Sequence, residues 1–484
     1  MNKIYLDDTI AAVSTAIGEG GIGIVRLSGK DALKIADKIF LSKNGRKPSS
    51  FKTYTVHYGH VVDRNQSTEY REQITEDREQ RTEGRGCIID EVLLTVMRAP
   101  RSYTKEDVVE INCHSGIVPL KKILDLVLEN GARLAGPGEF TKRAFLNGRI
   151  DIAQAEAVLD IIRAKTELGL KAALNNLEGS FSKYVQDIRD NLMDVYAHLE
   201  ASIDFSEEDL DGATKRNIFI RLNKIRNQME RIAHASNKGR ILRQGIKTVL
   251  CGSPNVGKSS LMNALLKESR SIVTHIPGTT RDTIEEAINI KGISLNLIDT
   301  AGITDTMHLV EKEGIKKAHF YLQKSDLALL VLDYARKLNK NDFDIMSTLK
   351  EKEVIIVINK VDLKKSLDIE KVKTFFPKKP MVYVSALNFK GIEKLENIIK
   401  DTVWKGKVAT STDFLATANE RQLGILHCSL NEVREAMKSY RQKMPVDSIS
   451  VYLRSAIEGL GEILGWTITE EALDRIFAEF CIGK

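Results

Sequence analysis

The chain has 484 residues, 42% of them hydrophobic and 29% charged, with a formal net charge of +6. That length fits about three domains, and that apolar share is ordinary for a globular protein, which excludes collagen-like and low-complexity classes. The positive balance is compatible with an RNA partner but, spread over this length, does not specify one.

Five cysteines (Cys87, Cys113, Cys251, Cys428 and Cys481) form no C-x-x-C pair. That argues against a disulfide framework or a zinc site and for a reducing, cytoplasmic compartment. The longest apolar runs, such as residues 327–332, are far too short to cross a bilayer, so no membrane association is expected. Residues 1–8 place acids ahead of any apolar stretch and do not read as a secretory signal.

In chain order, residues 1–120 mix short strands with helical stretches and read as an α+β domain. Gly18-Glu-Gly-Gly-Ile-Gly23 fits G-x-G-x-x-G, but residues 22–27 read as a strand where that motif needs a helix. A tight turn between strands is the better reading. Arg26, a charge inside that strand, is either a surface residue or a ligand contact. Residues 63–86 are almost wholly polar and read as a disordered insertion. Strands follow at 92–97 and 108–112, and a helix at 119–128. The segment from Pro137 to Arg149 is turn-rich and charged, and by composition it is a surface connector.

From 151 to 238 the signal is helical. Phe181, Val185, Ile188, Leu192, Val195 and Leu199 recur at steps of four and three, the apolar stripe of a bundle core. Residues 203–208 break that helix, and their acids are placed to cap the next one.

Gly252-Ser-Pro-Asn-Val-Gly-Lys-Ser259 then fits the phosphate-cradling loop G-x-x-x-x-G-K-[ST], between an apolar strand and a helix. Lys258 is placed to reach the β- and γ-phosphates and Ser259 to hold Mg²⁺. A polar loop, Gly278-Thr-Thr-Arg-Asp282, offers a threonine, Thr280, to complete the Mg²⁺ shell. Asp299, Thr300, Ala301 and Gly302 follow an apolar strand, where metal and γ-phosphate are sensed. Asn359-Lys-Val-Asp362 ends another strand, and Asp362 can accept both N–H groups of a guanine edge. Residues 382–387, closing on Ser385, Ala386 and Leu387, complete the series. Five motifs in order, each at a strand end, specify a doubly wound α/β GTP-binding domain.

That domain spans 245–406; helical patterns on both sides make it an insertion in one helical domain, residues 121–240 and 410–484. The expected fold is therefore a multi-domain α/β and α protein. Nucleotide-driven movement could then pull on helices at both junctions.

The tail Phe480-Cys-Ile-Gly-Lys484, the Pro137-to-Arg149 segment and Gly278-Thr-Thr-Arg-Asp282 together resemble the MnmE/TrmE family of tRNA-modification GTPases. The resemblance covers the chain except the polar insertion. It implies a homodimer, with an N-terminal folate-binding-like domain, a helical bundle and an inserted GTPase. It implies a partner, MnmG, that carries FAD, and a tRNA substrate. The resemblance further implies that the pair installs an aminomethyl or carboxymethylaminomethyl group at carbon five of the wobble uridine, its carbon drawn from a tetrahydrofolate.

By the same resemblance Arg26, Glu110, Arg149 and Lys484 contact folate, and Cys481 joins the modification chemistry. Asn255, Thr274, the Ile276 carbonyl and Thr279 hold K⁺ beside the phosphates. The GTP site extends over Val256, Gly257 and Ser260, over His275, Pro277 and Gly278, and to Asn359 and Lys360. Ile303 stands where Ras-like proteins place a water-orienting glutamine, and the resemblance gives that task to Glu311. Arg281 is read as structural. Two departures from the family pattern stand out: Ser115 replaces a glycine, and Thr304-Asp305 replace an Arg-Glu pair. Two other readings compete: a ribosomal-RNA-binding switch that modifies nothing, and a folate-dependent transferase acting without MnmG.

Overall fold

The structure, a computed structural model, describes residues 7–64, 87–204, 212–268, 285–299, 325–404 and 417–484. It divides into two compact units, Met1–Leu159 with Gly461–Lys484, and Asp160–Leu460.

The first unit is built on seven strands: β1 (Ile10–Val13), β2 (Gly20–Ser28), β3 (Phe40–Ser42), β4 (Thr55–Asp63), β5 (Cys87–Met97), β6 (Val108–Ser115) and β7 (Arg133–Leu134). Their order is β3-β4-β5-β6-β2-β1-β7, antiparallel except for the β1–β7 pair. Helices Ala32–Ile39 and Ile117–Glu129 cover one face, where Ile35, Ile39 and Ile123 share a core with Val25, Leu27, Leu94 and Ile111. Strand side chains alternate between faces. Arg26, between buried Val25 and Leu27, therefore points away from that core.

Two expectations are corrected here. The boundary expected at 120 falls inside the Ile117–Glu129 helix, whose Leu120 and Ile123 are buried against the sheet. Residues 461–484, expected with the helical domain, cluster by contact with the sheet unit. The segment from Pro137 to Arg149 is not a surface connector: it contains the helix Glu139–Leu146, with Phe140, Thr141, Arg143 and Ala144 buried. Composition counts Arg143 as solvated, yet its side chain has no exposure because carboxylates surround it. Its Nη2 lies 2.6 Å from Asp8 Oδ1 and 3.2 Å from Glu139 Oε1, and its Nη1 lies 3.2 Å from Glu106 Oε1. The polar insertion leaves the β4–β5 hairpin, where Asp63 still pairs with Cys87; residues 65–86 lie outside the described residues.

Arg143→Met should strip three acids of their shared cation. Breaking a buried pair in this way costs about 3–5 kcal/mol, a fall of roughly 10 °C in melting temperature for a unit of this size. Burial alone would raise the Glu139 carboxyl, but hydrogen bonds from Arg133, the Gly136 N–H and Arg143 bring it below its usual value. Asp8 is also lowered, burial again being outweighed by Arg133 and Arg143. A depressed carboxylate stabilises the fold above its unfolded value and loses that contribution as pH falls through the folded one. The parent should thus lose more melting temperature than the variant between pH about 6 and pH about 3. Parallel pH profiles would show that the network contributes nothing.

Ser115 needs no glycine-like backbone. It ends β6 opposite Gly20, and its Oγ donates to the Gly18 carbonyl at 3.0 Å; its φ is not among the positive values.

In the second unit, the stripe from Phe181 to Leu199 lies on the Ser180–Asp204 helix, and its six members have no exposure. That helix packs on the Gly212–Gln244 helix, which buries Leu222, Ile225 and Met229. Of the acids expected to cap this second helix, Asp204 is still the last residue of the first one, and Glu207 and Glu208 lie outside the described residues.

The nucleotide-binding part carries β8 (Ile246–Cys251), β9 (Glu285–Ile290), β10 (Ile293–Asp299), β11 (Leu327–Asp333), β12 (Val354–Asn359) and β13 (Met381–Tyr383). The order is β13-β12-β11-β8-β10-β9, parallel except for the β9–β10 pair. β11 and β12 are apolar almost throughout because helices cover both faces of a parallel sheet. Two buried clusters, one on each face, contain alternate residues of the same strands: Leu329 and Ile355 in one, Leu330 and Ile356 in the other. Among the described residues, no helix is long and apolar enough to cross a membrane.

Candidate functional site

The phosphate loop runs from the end of β8 into the helix Lys258–Glu268. Its shape depends on two glycines. Gly252 has φ 149°, and a Cβ there would strike the Val331 carbonyl; Gly257 has φ 94°, and a Cβ there would strike Asn359 Nδ2. Between them Asn255 is left-handed, with φ 62°. Lys258 donates from Nζ to the Gly252 and Ser253 carbonyls at 3.0 and 3.2 Å. The ammonium is therefore held over the loop, and the helix N-terminus opens beneath it, which suits a phosphate.

Asn359, 2% exposed, ties this loop to the far end of the site. Its Nδ2 donates to the Val256 carbonyl at 3.0 Å, and its Oδ1 accepts from the Ala386 N–H at 3.1 Å. Lys360, with φ 63°, donates to the Asn255 carbonyl at 2.6 Å and to Asp333 Oδ2 at 2.7 Å. The Asp362 carboxyl is held below its usual value, first by the Ser385 hydroxyl. Ser385 Oγ in turn accepts from the Asn388 N–H at 3.3 Å. Leu387 is exposed beside it. Residues 252–260, 359–362 and 385–387 thus form one constellation at the carboxyl end of the parallel strands, the place such sheets use for ligands.

Thr274, His275, Ile276, Pro277, Gly278, Thr279, Thr280, Arg281, Thr300, Ala301, Gly302, Ile303, Thr304, Asp305 and Glu311 lie outside the described residues. Asp299 is described as the last residue of β10, in register with Leu250 of β8.

Sequence reasoning missed the support beneath the loop. Ser253 Oγ donates to Asp342 Oδ1 at 2.6 Å, and buried Asp342 also accepts from Arg336 Nη2 at 3.0 Å and from the Asn339 N–H at 3.0 Å. Asn339 and Asp342 form the capping box of the helix Lys340–Thr348. An Asn-x-x-Asp pattern ahead of an apolar-periodic stretch was the available signal.

The first unit holds the second constellation. Arg26 and Glu110 are cross-strand partners, Nε to Oε1 at 2.8 Å, with each side chain 19% exposed. Arg26 Nη1 also donates to the Gly483 carbonyl at 3.2 Å. The tail is seated here: Ser14 Oγ donates to the same carbonyl at 3.1 Å, and Pro137 pairs with Ile482 as an antiparallel bridge. Gly483 has φ 93°, and a Cβ there would meet the Val13 carbonyl, so the seat demands glycine.

Arg149 lies 4.7 Å over the Tyr103 ring and donates to the Tyr103 carbonyl at 3.1 Å. Arg26 lies 5.9 Å from the same ring and 5.7 Å from that of Phe140. Cys481 is exposed, and its carbonyl accepts from the N–H groups of Gly138 and Lys484 at 3.3 Å. Arg26, Glu110, Arg149, Cys481 and Lys484 therefore belong to one neighbourhood. Tyr103 and Phe140 line it; Tyr103 carries no motif, and Phe140, inside the Pro137-to-Arg149 segment, is not singled out by the sequence.

Comparison with known proteins gives two family matches: the MnmE helical domain over residues 152–481 and the GTP-binding protein TrmE N-terminus over residues 9–149. The tRNA modification GTPase MnmE of Alkaliphilus metalliredigens (strain QYMF) is 47% identical over 481 residues, covering 99% of this chain and 100% of that one. The proteins of the same name from Clostridioides difficile (strain 630) and Geobacillus thermodenitrificans (strain NG80-2) are each 45% identical. They cover 99% of this chain, and 100% and 99% of their own lengths.

Proposed function

The chain belongs to the MnmE family of tRNA modification GTPases, and from that premise we propose a folate-dependent, K⁺-activated reaction at the tRNA wobble uridine. It is a GTPase of tRNA modification; the substrate carbon, the cation and the partners are the further reading. The carrying observation is the seating of the residue 481–484 tail against the Arg26–Glu110 pair. That arrangement places an exposed thiol, two guanidiniums and an aromatic wall in one neighbourhood, which suits a flat, carboxylated, hydrogen-bonding cofactor such as a tetrahydrofolate. Bound there, the folate supplies a one-carbon unit for carbon five of the uridine. Arg26 and Arg149 orient it, Glu110 fixes the Arg26 fork, Lys484 offers a cation at the tail, and Cys481 is the thiol at hand.

In the nucleotide site, Lys258 and the loop N–H groups hold the phosphates, and Ser259 with Thr280 would hold Mg²⁺. Asn255, Thr274, the Ile276 carbonyl and Thr279 would hold K⁺, which would supply positive charge beside the phosphates during hydrolysis. Glu311 orients the attacking water. GTP turnover should then be faster in K⁺ than in Na⁺, and Asn255→Ala should erase the difference; in the same assay Glu311→Ala should keep nucleotide affinity and lose turnover. Equal parental rates in both salts would remove the K⁺ assignment, and an unchanged Glu311→Ala rate would remove Glu311.

Val56, Tyr58 and Leu93 are exposed on the face of the first sheet opposite its two covering helices, with Tyr58 and Leu93 in register. An exposed apolar patch of this kind supports a homodimer; a monomeric mass in solution would contradict it. The FAD-bearing MnmG-type partner rests on family membership and would fail if no complex formed on co-purification.

The deciding experiment is mass spectrometry of tRNA nucleosides from cells lacking this protein. Aminomethyl-type uridines should vanish, return with the parent gene, and stay absent with a Cys481→Ser copy. Unchanged nucleosides would leave only a GTPase and favour the RNA-binding switch.

A further inference from the structure

The helical part of the second unit carries a basic cleft that neither constellation uses. Helices Gly212–Gln244 and Glu420–Arg441 pack side by side. Between them lies a cleft of about 440 Å³, lined by Arg226, Glu230, Arg434, Met437, Lys438 and Arg441 together with Gln442. Four cations in the lining face one carboxylate. Glu230 Oε1 lies 2.9 Å from Arg434 Nη2 and 3.7 Å from Arg226 Nε. Lys438 pairs with exposed Glu435 one turn away on its own helix, a contact worth little in water. The cleft thus keeps a surplus of positive charge.

Arg434, Lys438 and Arg441 stand at i, i+4 and i+7. That spacing draws one stripe along the helix, roughly 10 Å long at 1.5 Å per residue. At its end the Arg441 guanidinium lies 4.8 Å over the Phe219 ring, which stacks with Tyr440 at 6.5 Å and 16°. A compact anion would need one guanidinium. A linear stripe of cations ending on an aromatic pair matches a chain of phosphates that carries bases. We propose that this cleft binds the phosphodiester backbone of the RNA substrate, with Arg434, Lys438 and Arg441 as phosphate contacts and the Phe219–Tyr440 pair as a stacking surface. The inference rests on the tRNA-modification reading.

The test is binding of an unmodified tRNA transcript to the full-length chain, followed by fluorescence anisotropy across a salt series. Each phosphate contact contributes about 0.7–0.9 to the slope of log affinity against log salt. The triple variant Arg434→Ala, Lys438→Ala, Arg441→Ala should lose at least about tenfold in affinity and flatten the slope by roughly 2–3. The single Lys438→Gln, which touches only exposed groups, should flatten it by about 0.7–0.9 and keep the parental melting curve. Parental slopes in both variants overturn the cleft, as does intact tRNA binding with lost capture of the flavoprotein partner. A parent chain that binds no tRNA would instead bring down the tRNA-modification reading on which the cleft depends.

Discussion

Asp362→Asn is expected to lower affinity for GTP roughly ten-thousandfold, the lower end of the range by which sites built on paired polar groups reject a wrong partner. The carboxylate is ionised at neutral pH like any ordinary Asp, and the Ser385 hydroxyl and its own backbone hold it lower still. It is then an acceptor only, matching the two donors on the guanine edge. The amide of Asn offers one donor and one acceptor, so it leaves one guanine donor facing another. Xanthine presents a carbonyl where guanine has its amino group and should pair with Asn in full. The variant should therefore gain xanthosine triphosphate binding as it loses GTP. The surrounding frame needs no change: Val361 donates to the Val384 carbonyl at 3.2 Å, and Val384 donates to the Ile358 carbonyl at 2.8 Å. Titration of both nucleotides against the parent and the variant decides it. A variant that still prefers GTP would mean that Asp362 does not read the base.

That site was legible in the sequence because its chemistry is local. A glycine at 257 and a lysine at 258 are needed within one turn, and each motif sits at the end of an apolar strand whose composition announces it. What stayed illegible was the contact made across the fold. Nothing near Ser253 points to Asp342, 89 positions away. The Pro137-to-Arg149 segment failed for the same reason. Its charges look solvated until Asp8 and Glu106, from remote parts of the chain, close round Arg143. Composition reports what a side chain is; only the tertiary partners decide whether its charge is matched. The domain boundary at 120 slipped because the helix Ile117–Glu129 has the same period whether it packs on a sheet or in a bundle.

The folate reading stands or falls on Arg26, where local pattern and distant contact meet. Its place in β2 sends it to the face opposite the core, and the tail brings it a carbonyl from 457 residues away. Truncating one partner of a hydrogen-bonded charge pair across a binding interface costs about 2–5 kcal/mol, and that is the contact Arg26 would make with a folate carboxylate. Because the Arg26 side chain is 19% exposed, the lower part of that range applies, and the expected loss is about 50-fold in affinity for 5-formyl-tetrahydrofolate. Arg26→Ala removes the donors to Glu110 and Gly483 together, so both the ligand contact and the tail seat should suffer. Arg26→Lys keeps the charge but not the fork that can meet two acceptors, and should fall between parent and Ala. Gly483→Val acts on the tail alone: with φ 93° and the Val13 carbonyl in the way, it should unseat Cys481 and Lys484 while leaving Arg26 and Glu110 paired. If Gly483→Val weakens folate as much as Arg26→Ala, the tail itself is part of the binding surface. If it leaves affinity intact and abolishes only modification, the tail serves the chemistry and Arg26 serves the ligand. Calorimetric titration of the three variants, with nucleoside analysis of tRNA modified by each, reads these outcomes, and an Arg26→Ala protein that binds folate as the parent does would place the site elsewhere in the chain.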